Sequence, residues 1–283
     1  MNDITGAGRE GGLRPLTGSF LGGSDRCMVD RGFTEKLGIA CLVAEIEGKV
    51  VGHLDVIPTS DRDLGRYLFL DVFMVHKSYR RKGVATALLN IAEELAVKLY
   101  LPRIIVMTEY AGAGGLTYRK NGYSAYREMY TAEFAIKDPE MPRYLTLSNP
   151  LDKPPLESHH MVCGWWNTPS KNWMDNFFPG EINQHLDWHQ ILLTCETASG
   201  KVHMGLKSGF PDRTEADICL WAPLGITPVD LSSVVEASKC IVEPWGAIKL
   251  TSIILQDDLE LLEQAGFILM NRRDPLLSLD VTS

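Results

Sequence analysis

The chain has 283 residues, 45% of them hydrophobic and 23% charged, with a formal net charge of −8. That length predicts one large domain or two ordinary ones, and the composition excludes long disorder, collagen and a coiled-coil rod. The negative charge gives nonspecific nucleic-acid binding no global support, and no run approaches the ~18 uninterrupted apolar residues of a membrane span.

The opening residues Met1–Gly6 have no basic n-region and no apolar h-region, so no secretory signal is expected. The string Gly6-Ala-Gly-Arg-Glu-Gly11 has the GxGxxG spacing but no strand before it, and reads as a flexible tail. Next, Ile39–Glu47, a turn at Gly48-Lys49 and Val50–Ile57 predict a β-hairpin. A buried-type strand, Tyr67–Val75, follows, then a helix over Val84–Leu99 and an apolar strand at Arg103–Thr108. A short helix ends in Asn121-Gly122-Tyr123, with glycine at a C-terminal capping position.

Pro139, Pro142, Pro150, Pro154 and Pro155 crowd the segment Lys137–Glu157, which is expected to be a linker or an edge segment. The domains expected are therefore 1–150 and 151–283. Charge divides in the same place: 19 Lys and Arg against 18 Asp and Glu before it, 9 against 18 after it. The acidic second part is either ordinary solubilising charge or an attractor for a cationic partner.

The second part repeats the order of the first. Gln190–Thr197 and Val202–Lys207 flank a Gly200-Lys201 turn. Strand Ala216–Ala222, helix Pro228–Val242, strand Ile248–Leu255 and a helix ending in Ala265-Gly266-Phe267 follow. Hairpin, strand, helix, strand and helix in one order, twice, point to a duplication. The fold class expected is mixed α/β.

The segment that carries chemistry is Leu68–Val75, His76–Tyr79 and Arg80-Arg81-Lys82-Gly83-Val84-Ala85-Thr86: a strand, a basic turn and a helix start. Gly83 lets backbone approach a ligand closely. The first N–H groups of a helix lack intrahelical partners and carry the positive end of its dipole. Such a terminus binds phosphate oxygens, and Arg80 can add a charge-assisted hydrogen bond. The ligand expected is a nucleotide-like diphosphate. No GxxxxGK[ST] and no kinase signature set is present.

These residues resemble the GNAT superfamily of N-acetyltransferases. Arg80-x-x-Gly83-x-Ala85 matches that family's pyrophosphate loop. Val75, Tyr79, Arg80, Lys82, Gly83, Val84, Ala85, Leu88 and Leu89 meet its wider pattern, and Tyr118-Arg-Lys-Asn-Gly-Tyr123 looks like its Tyr-x-Lys-x-Gly-Phe. The resemblance covers residues 30–135. It implies a mixed, splayed central sheet flanked by helices, duplicated here, and acetyl-CoA as cosubstrate. It also implies a small-molecule or peptide amine as acceptor. The backbone of Phe73, Met74 and Val75 would bond the pantetheine arm, and amides from Arg81 to Thr86, with Lys82, Gly83, Val84 and Ala85 between them, would hold the pyrophosphate. Tyr118 would protonate the departing thiolate, with packing in an amphipathic helix as its other reading. Asp71 or Glu109 would take the proton of the amine.

Two departures are visible. Ala111 stands where many members keep an asparagine, and Leu13–Gly38 leaves little room for the opening strand and two helices usual before the hairpin. In the second part, Pro223-Leu-Gly-Ile-Thr-Pro228 replaces the basic loop and Leu262 replaces Tyr118, so that copy is expected not to bind acetyl-CoA. The competing reading of the whole is a noncatalytic CoA-binding or interaction module.

The six cysteines, Cys27, Cys41, Cys163, Cys195, Cys219 and Cys240, are far apart with no CxxC. That fits reduced thiols in a cytoplasm. None has an obvious activating histidine, and no metal is expected. Trp165, Trp166, Trp173, Phe177 and Phe178 read as core packing before acceptor pocket, and His185 with His189 as a surface pair before metal ligands. No nucleic-acid or membrane partner is expected, and the chain reads as a monomer or homodimer.

Overall fold

Strand-forming residues in the first half build a sheet whose order is β1 (Gly11–Leu16), β2 (Ala40–Ile46), β3 (Lys49–Asp61), β4 (Gly65–Val75), β5 (Arg103–Val106) and, from the far end of the chain, β13 (Ile268–Asp280). The computed structural model describes residues 11–16, 40–62, 64–149, 158–164, 168–169, 171–173, 189–208 and 214–281. The expected tail before Gly11 and most of Leu13–Gly38 lie outside them. An opening strand does exist: β1 pairs antiparallel with β2.

Helix α1 (Val84–Lys98) lays Val84, Leu88, Leu89, Ile91, Ala92 and Ala96 on this sheet, against Leu42, Leu54, Val56, Leu68, Leu70 and Ile104. Apolar residues at helical spacing dictate that face. Gly52 sets how closely the helix sits. A Cβ there would lie 2.8 Å from Val84 Cγ1 and 3.1 Å from Leu88 Cδ1. Helix α2 (Ala113–Lys120) follows β5 and adds Tyr118 to the same core. It ends where Gly122, at φ 90°, reverses the chain and Tyr123 N–H donates to the Tyr118 carbonyl at 3.2 Å.

In the rest of the chain the strand order is β6 (Ser124–Ala135), β12 (Lys249–Leu255), β11 (Glu215–Pro223), β10 (Gly200–Ser208), β9 (Gln190–Thr197) and β7 (Thr146–Ser148), with β8 (His159–Cys163) paired to β11. Helices α3 (Pro228–Val242) and α4 (Leu259–Gln264) close its core. The expected order of hairpin, strand, helix, strand and helix is present in both halves. The parallel pairings also correspond: Leu68–Leu70 with Ile104–Val106, and Glu215–Asp217 with Lys249–Thr251.

The described chain groups into two compact units. One compact unit holds the described residues up to Ser60, Leu64–Tyr126 and those from Asp274 on. The other holds Asp61–Arg62 and the described part of Arg127–Arg273. The halves exchange strands. β6 leaves the first half and pairs along β12, from Lys249 with Ala135 to Leu255 with Met129. β13 returns and pairs with β5, Leu277 opposite Val106 and Asp280 opposite Arg103, where an ion pair of 2.9 Å closes the end. Ala132 and Phe134 are thus buried with the second half, and Leu277 with the first. In the proline-rich segment, Thr146–Ser148 is an edge strand opposite Thr194–Glu196, and residues 150–157 lie outside the described set.

Trp173 is fully buried, 5.1 Å from Trp221 and 5.0 Å from His203, which fits core packing. Trp165, Trp166, Phe177, Phe178 and His185 lie outside the described residues. His189 stacks on Trp245.

His203 has 0% exposure, and burial, then His159 and Lys201, push its imidazole down to about 4. An unfolded histidine titrates near 6.5. Between those values the unfolded chain takes up a proton that the folded chain refuses. This stability is therefore intact above pH ~6.5 and is lost as pH falls towards 4. Urea unfolding at pH 7 and pH 5 should differ by roughly 2 kcal/mol from this group. His203→Leu should remove that part of the slope; an unchanged slope assigns it elsewhere.

Candidate active site

The expected loop lies where two strands part. β4 pairs with β5 only as far as Leu70 and then runs on through Asp71–Val75. Among the described residues no strand covers that stretch on the β5 side. Val72 and Met74 are 41% and 47% exposed there. Val72 has φ 21°, outside the extended region of its neighbours. Such a residue costs of order 1–3 kcal/mol and re-aims the amides around it.

The end of β4 is fixed by two hydrogen bonds. His76 N–H donates to the Val51 carbonyl at 2.8 Å, and Arg80 Nε donates to the Val75 carbonyl at 3.1 Å. Arg80, Arg81, Lys82 and Gly83 are exposed, and Lys82 Nζ lies 5.2 Å from the centre of the Tyr79 ring. Arg81 and Gly83 take positive φ, 61° and 83°. Gly83 is the N-cap of α1 and supplies no side-chain cap, and no acidic residue stands in the first turn. No described residue lies within 4 Å of where its Cβ would be. The start of α1 is therefore an uncapped, basic, open helix terminus, as an anion site requires.

Tyr118 is buried at 3% exposure, 5.7 Å from the Phe73 ring and 5.2 Å from Tyr123. Burial and then the Asp71 carboxylate raise its pKa above the ordinary tyrosine value. The structure thus brings Phe73, Asp71 and Tyr118 together. Glu109 stands apart in kind: it is exposed, and it folds back over Gly112, where a Cβ would meet its Oε2 at 2.8 Å. The glycines that follow Ala111 have a packing role. A Cβ on Gly115 would stand 2.3 Å from both the Glu109 and Tyr110 carbonyl oxygens, so only glycine lets α2 start this close to the loop.

The corresponding place in the second half is filled. Beyond Asp217, β8 lies along β11, with Leu220 opposite Cys163 and Ala222 opposite His160. Because β10 holds the other edge of β11 as far as Trp221, β8 occupies the β12 side. Gly164 N–H then donates to the Ile253 carbonyl of β12 at 2.7 Å. The terminus of α3 is also satisfied internally. Thr227 caps Asp230 N–H, and the Asp230 carboxylate accepts from Ser199 N–H, Ser199 Oγ and Thr227 Oγ1. Burial raises the pKa of Asp230, but these hydrogen bonds outweigh it and hold the carboxyl below its usual range. An anion at this terminus would meet a fixed negative charge.

A sheet that splays beside a basic, uncapped helix start, with a buried tyrosine on the following helix, defines a GNAT-type fold. Residues 38–125 match the family described as acetyltransferase (GNAT) domain. No curated protein matches the chain. A GCN5-related N-acetyltransferase from Anabaena variabilis superposes with a TM-score of 0.55 at 14% identity, over 95% of this chain and 73% of that one. A tandem GNAT protein from the clavulanic acid biosynthesis pathway gives 0.50 at 12%, over 87% and 83%. A glucosamine N-acetyltransferase region of a fungal multi-domain GH3 beta-N-acetylglucosaminidase gives 0.51 at 15%. This chain spans 34% of that protein's length, with 87% of its own residues. At such identities the likeness is one of fold. No described helix is long and apolar enough to cross a membrane.

Proposed function

We propose that the protein transfers an acetyl group from acetyl-CoA to an amine, small molecule or peptide, in a ternary complex at the first unit. The observation that carries this reading is the stretch Val72–Val75, which no described strand covers on its β5 side and which leads directly to the uncapped terminus of α1. Backbone groups of Phe73, Met74 and Val75 would pair with the pantetheine amides as an added strand. Amides from Arg81 to Thr86 would take the pyrophosphate, and Arg80 would hold the turn against Val75.

An amine near pKa 10.4 is mostly protonated at neutral pH and must lose a proton before attack. Asp71 supports the role of base better than Glu109, because its charge already acts on Tyr118. The amine nitrogen forms a bond to the acetyl carbon, and an amide near Val75 holds the developing oxyanion. Collapse breaks the carbon–sulfur bond, and the thiolate takes a proton. With its pKa raised, Tyr118 stays a neutral hydrogen-bond donor across the physiological range. Its support for the thiolate is donation that becomes transfer only as the sulfur gains charge. Tyr118→Phe should lower kcat by roughly 10²-fold or more with acetyl-CoA affinity nearly unchanged. An unchanged kcat with chemistry rate-limiting removes Tyr118 from the mechanism.

The second unit is read as a copy that has lost the cosubstrate site, since β8 takes the place of the pantetheine arm and Asp230 that of the diphosphate. Calorimetric titration should therefore give one acetyl-CoA per chain. Tight binding without turnover on a broad amine panel, and without slow hydrolysis, would replace the enzyme reading by a binding module.

A further inference from the structure

We propose that Cys41, His53 and Asp55 form a binding site for a divalent transition-metal ion of the zinc class, independent of the acetyl-transfer reading. The placement follows from strand geometry. Cys41 on β2 stands directly opposite Asp55 on β3, and His53 lies two residues from Asp55 on the same strand. Opposed residues of an antiparallel pair point to one face, and so do residues i and i+2. Three donors from a Cys-x11-His-x-Asp spacing thus converge on one spot of one sheet face.

One donor atom from each lies within 4.8 Å of the others, and His53 Nε2 is 2.9 Å from Asp55 Oδ1. A tetrahedral ion at zinc's bond lengths holds its ligand atoms roughly 3.3–3.7 Å apart, within that spread. The donor set selects the metal. A thiol, an imidazole and a carboxylate suit zinc and its neighbours, whereas calcium and magnesium take oxygen ligands. Apolar neighbours enclose the three donors on one side. Cys41 is 5% exposed, and Val43 and Ile57, on the same face, are 3% and 1% exposed. The His53 and Asp55 side chains keep 15% and 25% exposure, which leaves an approach from solvent. Three protein ligands leave a fourth position for water or another donor. The pairing also supplies what sequence spacing did not show, a histidine beside a cysteine.

The test is cobalt(II) titrated into the full chain after chelator treatment, with a non-thiol reductant present. One equivalent should bind and give a thiolate-to-cobalt charge-transfer band with the visible bands of a tetrahedral site. Cys41→Ser should abolish the charge-transfer band. His53→Gln and Asp55→Asn should weaken cobalt affinity at least ~10-fold, the lower end of what loss of even an outer partner costs. Cys240→Ser should change nothing. If Cys41→Ser fails to fold, His53→Gln with native near-ultraviolet circular dichroism decides the matter by its weakened cobalt affinity. Absence of the band at several equivalents, its survival in Cys41→Ser, an unchanged cobalt affinity in folded His53→Gln, or loss of the band in Cys240→Ser, overturns the site.

Discussion

Gly83→Glu should abolish measurable acetyl-CoA binding. Two effects combine at this position. Its φ of 83° strains any residue with a Cβ, at about 1–2 kcal/mol. The new carboxylate would also stand at the start of α1, where the open N–H groups would otherwise meet phosphate. The second half supplies the natural precedent, with the Asp230 carboxylate bound at the start of α3. No described residue lies within 4 Å of the new Cβ, so the unit should still fold. Gly83→Ala carries the strain without the charge and should lose much less. Calorimetry should show at least ~100-fold weaker binding for the glutamate variant, about 2.7 kcal/mol. Affinity within about threefold of the parent would mean that the turn at 80–86 does not hold the cosubstrate.

A chain ending at Arg273 should lose the cooperative unfolding of the first unit. Its missing strand covers β5 from Arg103 to Val106 and buries Leu277, with Leu279 and Val281 packed partly against the same core. Burying those side chains contributes on the order of 4–6 kcal/mol. That is comparable with the whole stability of an ordinary domain. For the same reason, residues 1–150 produced alone should not give a stable domain. They lack this strand, and their β6 has lost the β12 it pairs with. Urea denaturation followed by near-ultraviolet circular dichroism checks both. A truncated chain with the parent's midpoint would show that the exchanged strand is dispensable.

The strand exchange also explains which elements were hard to read. β2 to β5, α1, α2 and their counterparts in the second half follow local patterns, and their predicted bounds fall within a few residues of those observed. β6, β8 and β13 were not anticipated. β13 contains Asn271-Arg272-Arg273-Asp274-Pro275, a charged run with a proline that argues locally against a strand. It is a strand because β5 offers an unpaired edge, and a partner 170 residues away leaves no trace in a local pattern. The described residues group across the expected boundary near residue 150 for the same reason. Prolines and a charge shift mark a change of composition, whereas units are made by pairing.

The candidate site divides similarly. The loop from Arg80 to Thr86 is legible because an anion-binding helix start needs glycine, basic residues and a following apolar helix at fixed spacing, all written consecutively. Tyr118 could be placed on its helix, but the rise in its pKa depends on burial beside Phe73 and on Asp71, which come from another strand. Asp71 and Glu109 were equal candidates in sequence, and only their surroundings separate them.

By itself, the order of residues determined the elements, their repeated succession and the basic turn, since each rests on contacts between near neighbours in the chain. Tertiary structure alone decided which half each outer strand completes and that β8 closes the second wedge while no described strand closes the first. It also set Cys41 beside His53 and Asp55. Those outcomes depend on hydrogen-bonded edges meeting across long sequence separations, where burial and pairing outweigh local preference.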